Sequence, residues 1–365
     1  MINHQKQLHF AIISCGGTIS MEPNKQGVLE PKKTIDEIIT DINVNSLSDK
    51  IIIDPDKRIE LLKLDSADLN PNHWQKIITA IEEVQNRCDG ILIFHGTDTM
   101  SYSATAVGLA LSQKITIPVI FTGAQAPLNE SGNDGKTNIE RSLLVLEQAA
   151  RDGAAECMIF FGDKAYRAVN SRKRSEADFN AFESPSVSPL YVTGGLGVQK
   201  IWPPRKAKDV DSAKKRIGIP LKNKFAQGVV VLSIIPGLEA SILMAVAKNK
   251  TTNAIILNSL GAGNIPALQG DYNLIPSILE ITQTLKKPVI IASPFVGGST
   301  HMEIYLPGIL AKEAGAINAG KMTAEATLVK TRLLLAQPEL SHSLDALKKS
   351  LAIDFAGETA NVDNY

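Results

Sequence analysis

The sequence predicts an α/β fold with largely parallel sheets flanked by helices and divided into two domains, on three observations. Short apolar, β-branched runs recur at 10–14, 91–94, 118–121, 157–161, 229–235, 254–257 and 289–292. They are continuous rather than alternating, as expected of strands covered on both faces. Helical periodicity falls between many of them, so strand and helix alternate along the chain. The pattern then lapses between about Pro203 and Lys224, where Pro203-Pro204-Arg205-Lys206-Ala207-Lys208 and Lys214-Lys215-Arg216 sit in a polar, charge-rich stretch.

Each element has a local reason. Over 74–84 the apolar residues Trp74, Ile77, Ile78, Ile81 and Val84 share one helical face. The preceding Asp68-Leu69-Asn70-Pro71 offers a capping side chain and a proline suited to a first turn. The expected organisation is an amino-terminal α/β domain over 1–202, a solvated connection over 203–224, and a smaller α/β domain over 225–365. That second domain closes with a helical pattern over 323–336 and a polar tail. No internal repeat or low-complexity tract interrupts either part.

Composition narrows the function. The chain has 365 residues, and its Lys plus Arg and Asp plus Glu both number 38, giving a formal net charge of zero. Such a balance supplies no long-range field for nucleic acid or an anionic membrane, which leaves a small molecule or a second copy of the chain as partner. The three cysteines, Cys15, Cys88 and Cys157, are far apart and lack metal-ligand spacing, so neither structural zinc nor a disulfide framework is expected. His4, His9, His73, His301 and His342 show no ligand spacing either. The polar start runs straight into the first apolar run, unlike a signal peptide, and no apolar stretch approaches the ~20 residues of a membrane span. A cytoplasmic location is expected.

Two motifs carry chemistry. Cys15-Gly16-Gly17-Thr18-Ile19 ends the first apolar run, and His95-Gly96-Thr97-Asp98-Thr99-Met100 ends the second major one. Both place a threonine just past the carboxyl end of a buried strand, the edge where open α/β sheets bind ligands. The glycine pair permits a tight turn and close backbone approach, while Gly96 frees N–H groups to stabilise an oxyanion. A hydroxyl nucleophile also needs a base, and a lysine can serve. Asn170-Ser171-Arg172-Lys173-Arg174 contains candidates that composition alone does not separate. Two other signals fail. Gly132-Asn133-Asp134-Gly135-Lys136-Thr137 has Glu130 where a phosphate loop needs its first glycine, and Gly261-Ala262-Gly263 lacks the third glycine of a dinucleotide fingerprint. No cofactor and no metal are expected.

In combination these motifs resemble the bacterial-type L-asparaginases, most closely the cytoplasmic type I branch. The resemblance runs in order through Gly16-Gly17-Thr18-Ile19, Asp65-Ser66-Ala67-Asp68, the His95–Met100 run, Thr122-Gly123-Ala124-Gln125-Ala126-Pro127, and Arg172-Lys173 ahead of Asp178-Phe179-Asn180-Ala181-Phe182. It continues at Leu260-Gly261-Ala262-Gly263-Asn264 and Met322-Thr323-Ala324-Glu325-Ala326-Thr327, covering about residues 8–340. It implies a two-domain asparaginase-like fold and hydrolysis of L-asparagine to L-aspartate and ammonia through a threonyl acyl-enzyme. By the same resemblance, Thr18 is the nucleophile, and Thr97, Asp98 and Lys173 form a proton-handling group, with Asp98 orienting Lys173. Which threonine attacks first stays open. Asp65, Ser66 and Asp98 hold the substrate's α-amino and α-carboxyl groups, Gly17 and Gly96 line the site, and the Ala124 carbonyl faces the leaving amide. Asn264 reaches a neighbouring subunit's site, which implies a homodimer or homotetramer.

The chain also departs from the family pattern. Val28 stands where many members place a tyrosine that supports the nucleophile, on a 20–34 segment expected to be a mobile lid. Asn258 and Phe295 replace polar residues associated with an effector site, so allosteric control is not expected. Two alternatives accompany the asparaginase reading. One is the amidase component of a tRNA-dependent amidotransferase, normally preceded by an extra domain where this chain has about eight residues. The other is a lapsed asparagine-binding protein. His95 is expected to be structural, and Cys15 to be a small apolar strand residue.

Overall fold

A computed structural model of the chain describes residues 6–42 and 49–360. His4 and the end of the polar tail lie outside the described residues. The chain forms two compact units, Met1–Lys215 and Arg216–Tyr365.

In the first unit, the opening apolar run becomes strand β1 (Leu8–Gly16), longer at both ends than the apolar run itself. A short antiparallel hairpin follows, β2 (Met21–Pro23) with β3 (Leu29–Pro31), then helix α1 (Ile35–Ile42) and the long strand β4 (Ile51–Leu64). Helix α2 (Pro71–Val84) starts at Asn70, whose side chain accepts from Asn72 N while His73 closes a capping box. His73 thus serves the backbone. Strand β5 (Gly90–Phe94), helix α3 (Met100–Ala110), strand β6 (Val119–Thr122), helix α4 (Gly135–Arg151) and strand β7 (Cys157–Phe161) continue the alternation. Next come β8 (Lys164–Arg167), the two-residue pair β9 (Arg172–Lys173) and β10 (Phe182–Glu183), β11 (Tyr191–Gly194) and β12 (Gly197–Lys200).

The main sheet has the order β12-β11-β8-β7-β6-β5-β1-β4. Neighbours from β7 across to β4 are parallel, while β7–β8, β8–β11 and β11–β12 are antiparallel. Phe10, Ile12, Leu92, Phe94, Ile120 and Phe160 are fully buried in its core, each contributing about 1.5–3 kcal/mol. β4 escaped the apolar reading for a physical reason. It is an edge strand, and Asp54-Pro55-Asp56 interrupts it, so its residues alternate irregularly between buried and exposed. From β1 the chain passes to β4 on one side and then returns to β5 on the other, which makes the β1–β5 border a topological switch point.

The stretch read as a solvated connection contains helix α5 (Ala207–Ile217). Val210, Ala213 and Ile217 are buried at helical spacing between its charged residues.

The second unit has a parallel four-stranded sheet, β13 (Val229–Ser233), β14 (Ala254–Asn258), β15 (Val289–Ala292) and β16 (Ile317–Asn318), in that order. Around it lie helices α6 (Ala240–Lys248), α7 (Ile275–Leu279, continued by the π-helical stretch Glu280–Thr284), α8 (Leu306–Glu313), α9 (Ala324–Leu335), α10 (Pro338–Ser341) and α11 (Leu344–Ala352). Thr323 caps α9, accepting from Ala326 N. Inside this unit the fully buried Lys330 ammonium meets Glu358 Oε1 at 2.5 Å and the Leu351 carbonyl at 2.9 Å. Among the described residues, no helix is long and apolar enough to cross a membrane.

Candidate active site

The carboxyl ends of four adjacent parallel strands, β6, β5, β1 and β4, lead into the loops that hold nearly all of the residues singled out in the first unit. Gly16 ends β1 and Gly17 follows it, with φ of 86° and 83°. Gly17 lies against the backbone of the neighbouring loop so closely that a Cβ there would stand 2.9 Å from the His95 carbonyl carbon and nearer still to Gly96 Cα and N. A Cβ on Gly96 would meet Ser66 Cβ and Oγ at 2.6 Å and Gly17 Cα at 3.2 Å. Gly17, Gly96 and Ser66 therefore converge, which is why the first two positions carry no side chain. Thr18 follows directly, half-buried at the start of a short 3-10 turn.

The second motif is held from below. His95 is fully buried, and its Nδ1 lies 2.7 Å from the Gly96 carbonyl oxygen while Nε2 lies 2.9 Å from Ser103 Oγ. A carbonyl only accepts, so Nδ1 carries the proton and the Ser103 hydroxyl donates to Nε2. Burial pushes the imidazole pKa down to about 4 against the opposing hydrogen bond to Gly96, so the ring is neutral at ordinary pH. Its expected structural role matches this setting, between the Gly96 turn and helix α3.

Lys173 reaches the same place from β9. Its Nζ donates to Thr97 Oγ1 at 2.8 Å and to Asp98 Oδ1 at 2.6 Å. Thr97 is buried, whereas the Asp98 side chain is 64% exposed and the Lys173 side chain 18% exposed. Lys173 thus joins a sheltered hydroxyl to a carboxylate at the mouth, an arrangement suited to moving a proton at Thr97 Oγ1. Thr99 Oγ1 donates to the Ser66 carbonyl at 2.8 Å, tying the β4 and β5 loops together. Asp65 accepts from Ala67 N at 2.9 Å and is otherwise turned to solvent, available to a charged amino group.

Fully buried Ala124 follows β6, in a loop fixed by the buried Asp134 carboxylate, which accepts from Gln125 N at 3.0 Å and from Ala126 N at 3.1 Å. Asn138 donates to the Gly123 carbonyl and to Asp134 Oδ2, both at 3.0 Å. Gln125 carries no role in the sequence motifs beyond its place in one of them. Its Oε1 accepts from Thr97 Oγ1 at 3.1 Å, a contact with no sequence signal beyond its place in the Thr122–Pro127 motif.

Residues 9–205 match the model described as Asparaginase, N-terminal, and residues 228–347 match that of the Glutaminase/Asparaginase C-terminal domain. The chain belongs to the asparaginase family. It is 30% identical over 298 residues to L-asparaginase 1 of Escherichia coli strain K12, covering 81% of this chain and 82% of that one. It is 31% identical over 300 residues to the L-asparaginase of Thermococcus kodakarensis, covering 82% and 84%. The solved thermostable L-asparaginase of T. kodakarensis superposes with a TM-score of 0.83 and 29% identity, over 96% of this chain and 99% of that one.

The 20–34 segment contains the β2–β3 hairpin, closed by Asn24, with Val28 59% exposed near its tip. Fully buried Cys15 has its thiol pKa pushed up by desolvation, as befits an inert strand residue. Asn264 lies in the second unit, in a turn closed by its bridge to Leu260. Asn258 ends β14, and Phe295 is exposed. Among the described residues, no cluster of three His, Cys, Asp or Glu side chains could hold a metal ion.

Proposed function

We propose that this chain is a cytoplasmic type I L-asparaginase that hydrolyses the side-chain amide of L-asparagine through a threonyl acyl-enzyme. The observation that carries the reading is the Lys173 bridge from Thr97 to Asp98, beside the backbone convergence of Gly17 and Gly96. Asp65, Ser66 and Asp98 hold the substrate's α-amino and α-carboxyl groups. Thr18 Oγ1 attacks the amide carbon, and backbone N–H groups near Thr97 stabilise the oxyanion. The Thr97–Lys173 pair handles protons as the C–N bond breaks, ammonia leaves past the Ala124 carbonyl, and an aspartyl ester remains on Thr18. Water then adds to that ester, releasing L-aspartate and restoring the Thr18 hydroxyl.

The same proposal includes a homodimer or homotetramer in which Asn264 of one copy reaches a neighbour's site. Support comes from the apolar surface of the second unit, where Leu268 is 88% exposed and Ile304, Tyr305 and Leu306 are also uncovered. Light scattering that returns a fully active monomer contradicts the assembly. The activity is tested by ammonia release from L-asparagine and L-glutamine by the wild type, Thr18→Ala and Lys173→Ala. Asparagine turnover abolished by Thr18→Ala and lowered about 10²-fold or more by Lys173→Ala is expected. A folded wild type that binds asparagine without releasing ammonia is a binding protein instead.

A further inference from the structure

We propose that Gln125 is a positioning residue that sets the direction of the Thr97 hydroxyl and holds the Lys173-bearing segment in register with it. The inference rests on the proposed function of Thr97 and Lys173. Gln125 Nε2 faces two backbone carbonyls, those of Ser175 at 3.3 Å and Asp178 at 3.4 Å. Carbonyl oxygens only accept, so the NH2 end of the amide must point toward them and Oε1 must point the other way. Oε1 lies 3.1 Å from Thr97 Oγ1 and has no proton to give. The single hydroxyl proton of Thr97 is therefore directed at Gln125. The lone pairs of Thr97 Oγ1 are left to accept from Lys173 Nζ at 2.8 Å.

The result is a hydrogen-bond chain with one sense, running from Lys173 to Thr97 to Gln125 to the Ser175 and Asp178 carbonyls. In this resting arrangement Lys173 donates to Thr97. For Thr97 to pass its proton to Lys173, the hydroxyl must swing away from Oε1, so Gln125 sets which proton state the pair rests in. The same amide ties Thr97, which follows β5, to the carbonyls of residues two and five positions beyond Lys173. Gln125 is itself fixed, because both oxygens of the buried Asp134 carboxylate accept from its backbone N–H at 3.0 Å. Its side chain contacts no atom assigned to substrate, which makes it a positioning residue.

The test uses the purified full chain with L-asparagine and follows kcat and KM across roughly pH 5 to 9. Wild type, Gln125→Leu, Gln125→Glu and Lys173→Ala are compared. Gln125→Leu removes the acceptor of the Thr97 proton, and kcat is expected to fall about tenfold or more while KM stays within about twofold. In Gln125→Glu, a protonated carboxyl reproduces the glutamine pattern, with O–H toward the two carbonyls and C=O toward Thr97. The ionised carboxylate sets an oxygen against those carbonyls. The kcat of Gln125→Glu relative to wild type is therefore expected to rise as pH falls, a readout that survives if the leucine variant does not fold. Wild-type kcat in Gln125→Leu, or a ratio for Gln125→Glu that is flat with pH, overturns the role. If Lys173→Ala is inactive while Gln125→Leu matches wild type, the role of Gln125 alone fails. If Lys173→Ala keeps wild-type activity, the proposed function fails and this inference with it.

Discussion

Replacing Gly17 by alanine probes the close approach on which the site is built. Gly17 has φ 83° and ψ 179°, a region open essentially to glycine alone, so any side chain there costs about 1–3 kcal/mol in backbone strain. The added Cβ also stands 2.9 Å from the His95 carbonyl carbon, whereas ordinary van der Waals contact begins at 3.4 Å. Gly96 is nearer still, and these are backbone atoms with no rotamer to yield, so the β1 and β5 loops must part by about 1 Å. Strain and overpacking together come to about 2–6 kcal/mol. A displacement of that size between Thr18 and the Thr97 group is expected to lower kcat/KM about 10²-fold. Urea unfolding and ammonia release measure the two effects separately. Gly153→Ala is the control, because Gly153, just past α4, has φ 69° but open space around it, and it should show strain without the loss of rate. Wild-type kcat/KM in Gly17→Ala, with a stability change under about 1 kcal/mol, refutes the close-approach argument.

Two further outcomes follow from buried groups. His95 is neutral in the fold with its pKa pushed down to about 4 by burial, against 6.5 when free, so the unfolded chain binds the extra proton between those values. Its contribution is complete above about pH 6.5 and is lost as pH falls toward 4, at most about 3 kcal/mol, and His95→Gln should flatten the pH dependence of urea unfolding in that window. Glu358→Gln leaves the buried Lys330 charge without its carboxylate and should cost about 3–5 kcal/mol by urea unfolding, whereas replacing both residues with apolar ones should cost far less.

Much of this was legible in the sequence because the strands of the parallel part are covered on both faces and so appear as continuous apolar runs. The edge strand β4 was not, since one side is uncovered and its residues need not be apolar. Helix α5 was hidden because its three buried apolar positions, Val210, Ala213 and Ile217, are interspersed with six charged residues. At the site, Thr97, Asp98 and Lys173 were found by motif, and their contact rests on the β9 strand, whose two residues are too few to leave a periodic signal. Gln125 was missed for a related reason. A side-chain amide that selects a proton direction does so through atoms far apart in sequence, Thr97 and the Ser175 and Asp178 carbonyls, and no local spacing encodes that.

The most direct measurement is acid quench of the enzyme during turnover of L-asparagine, followed by mass spectrometry of its peptides. An aspartyl ester on Thr18 that is absent from Thr18→Ala is the expected result. An ester on Thr97, or none on either threonine while ammonia is released, contradicts a threonyl acyl-enzyme formed at Thr18.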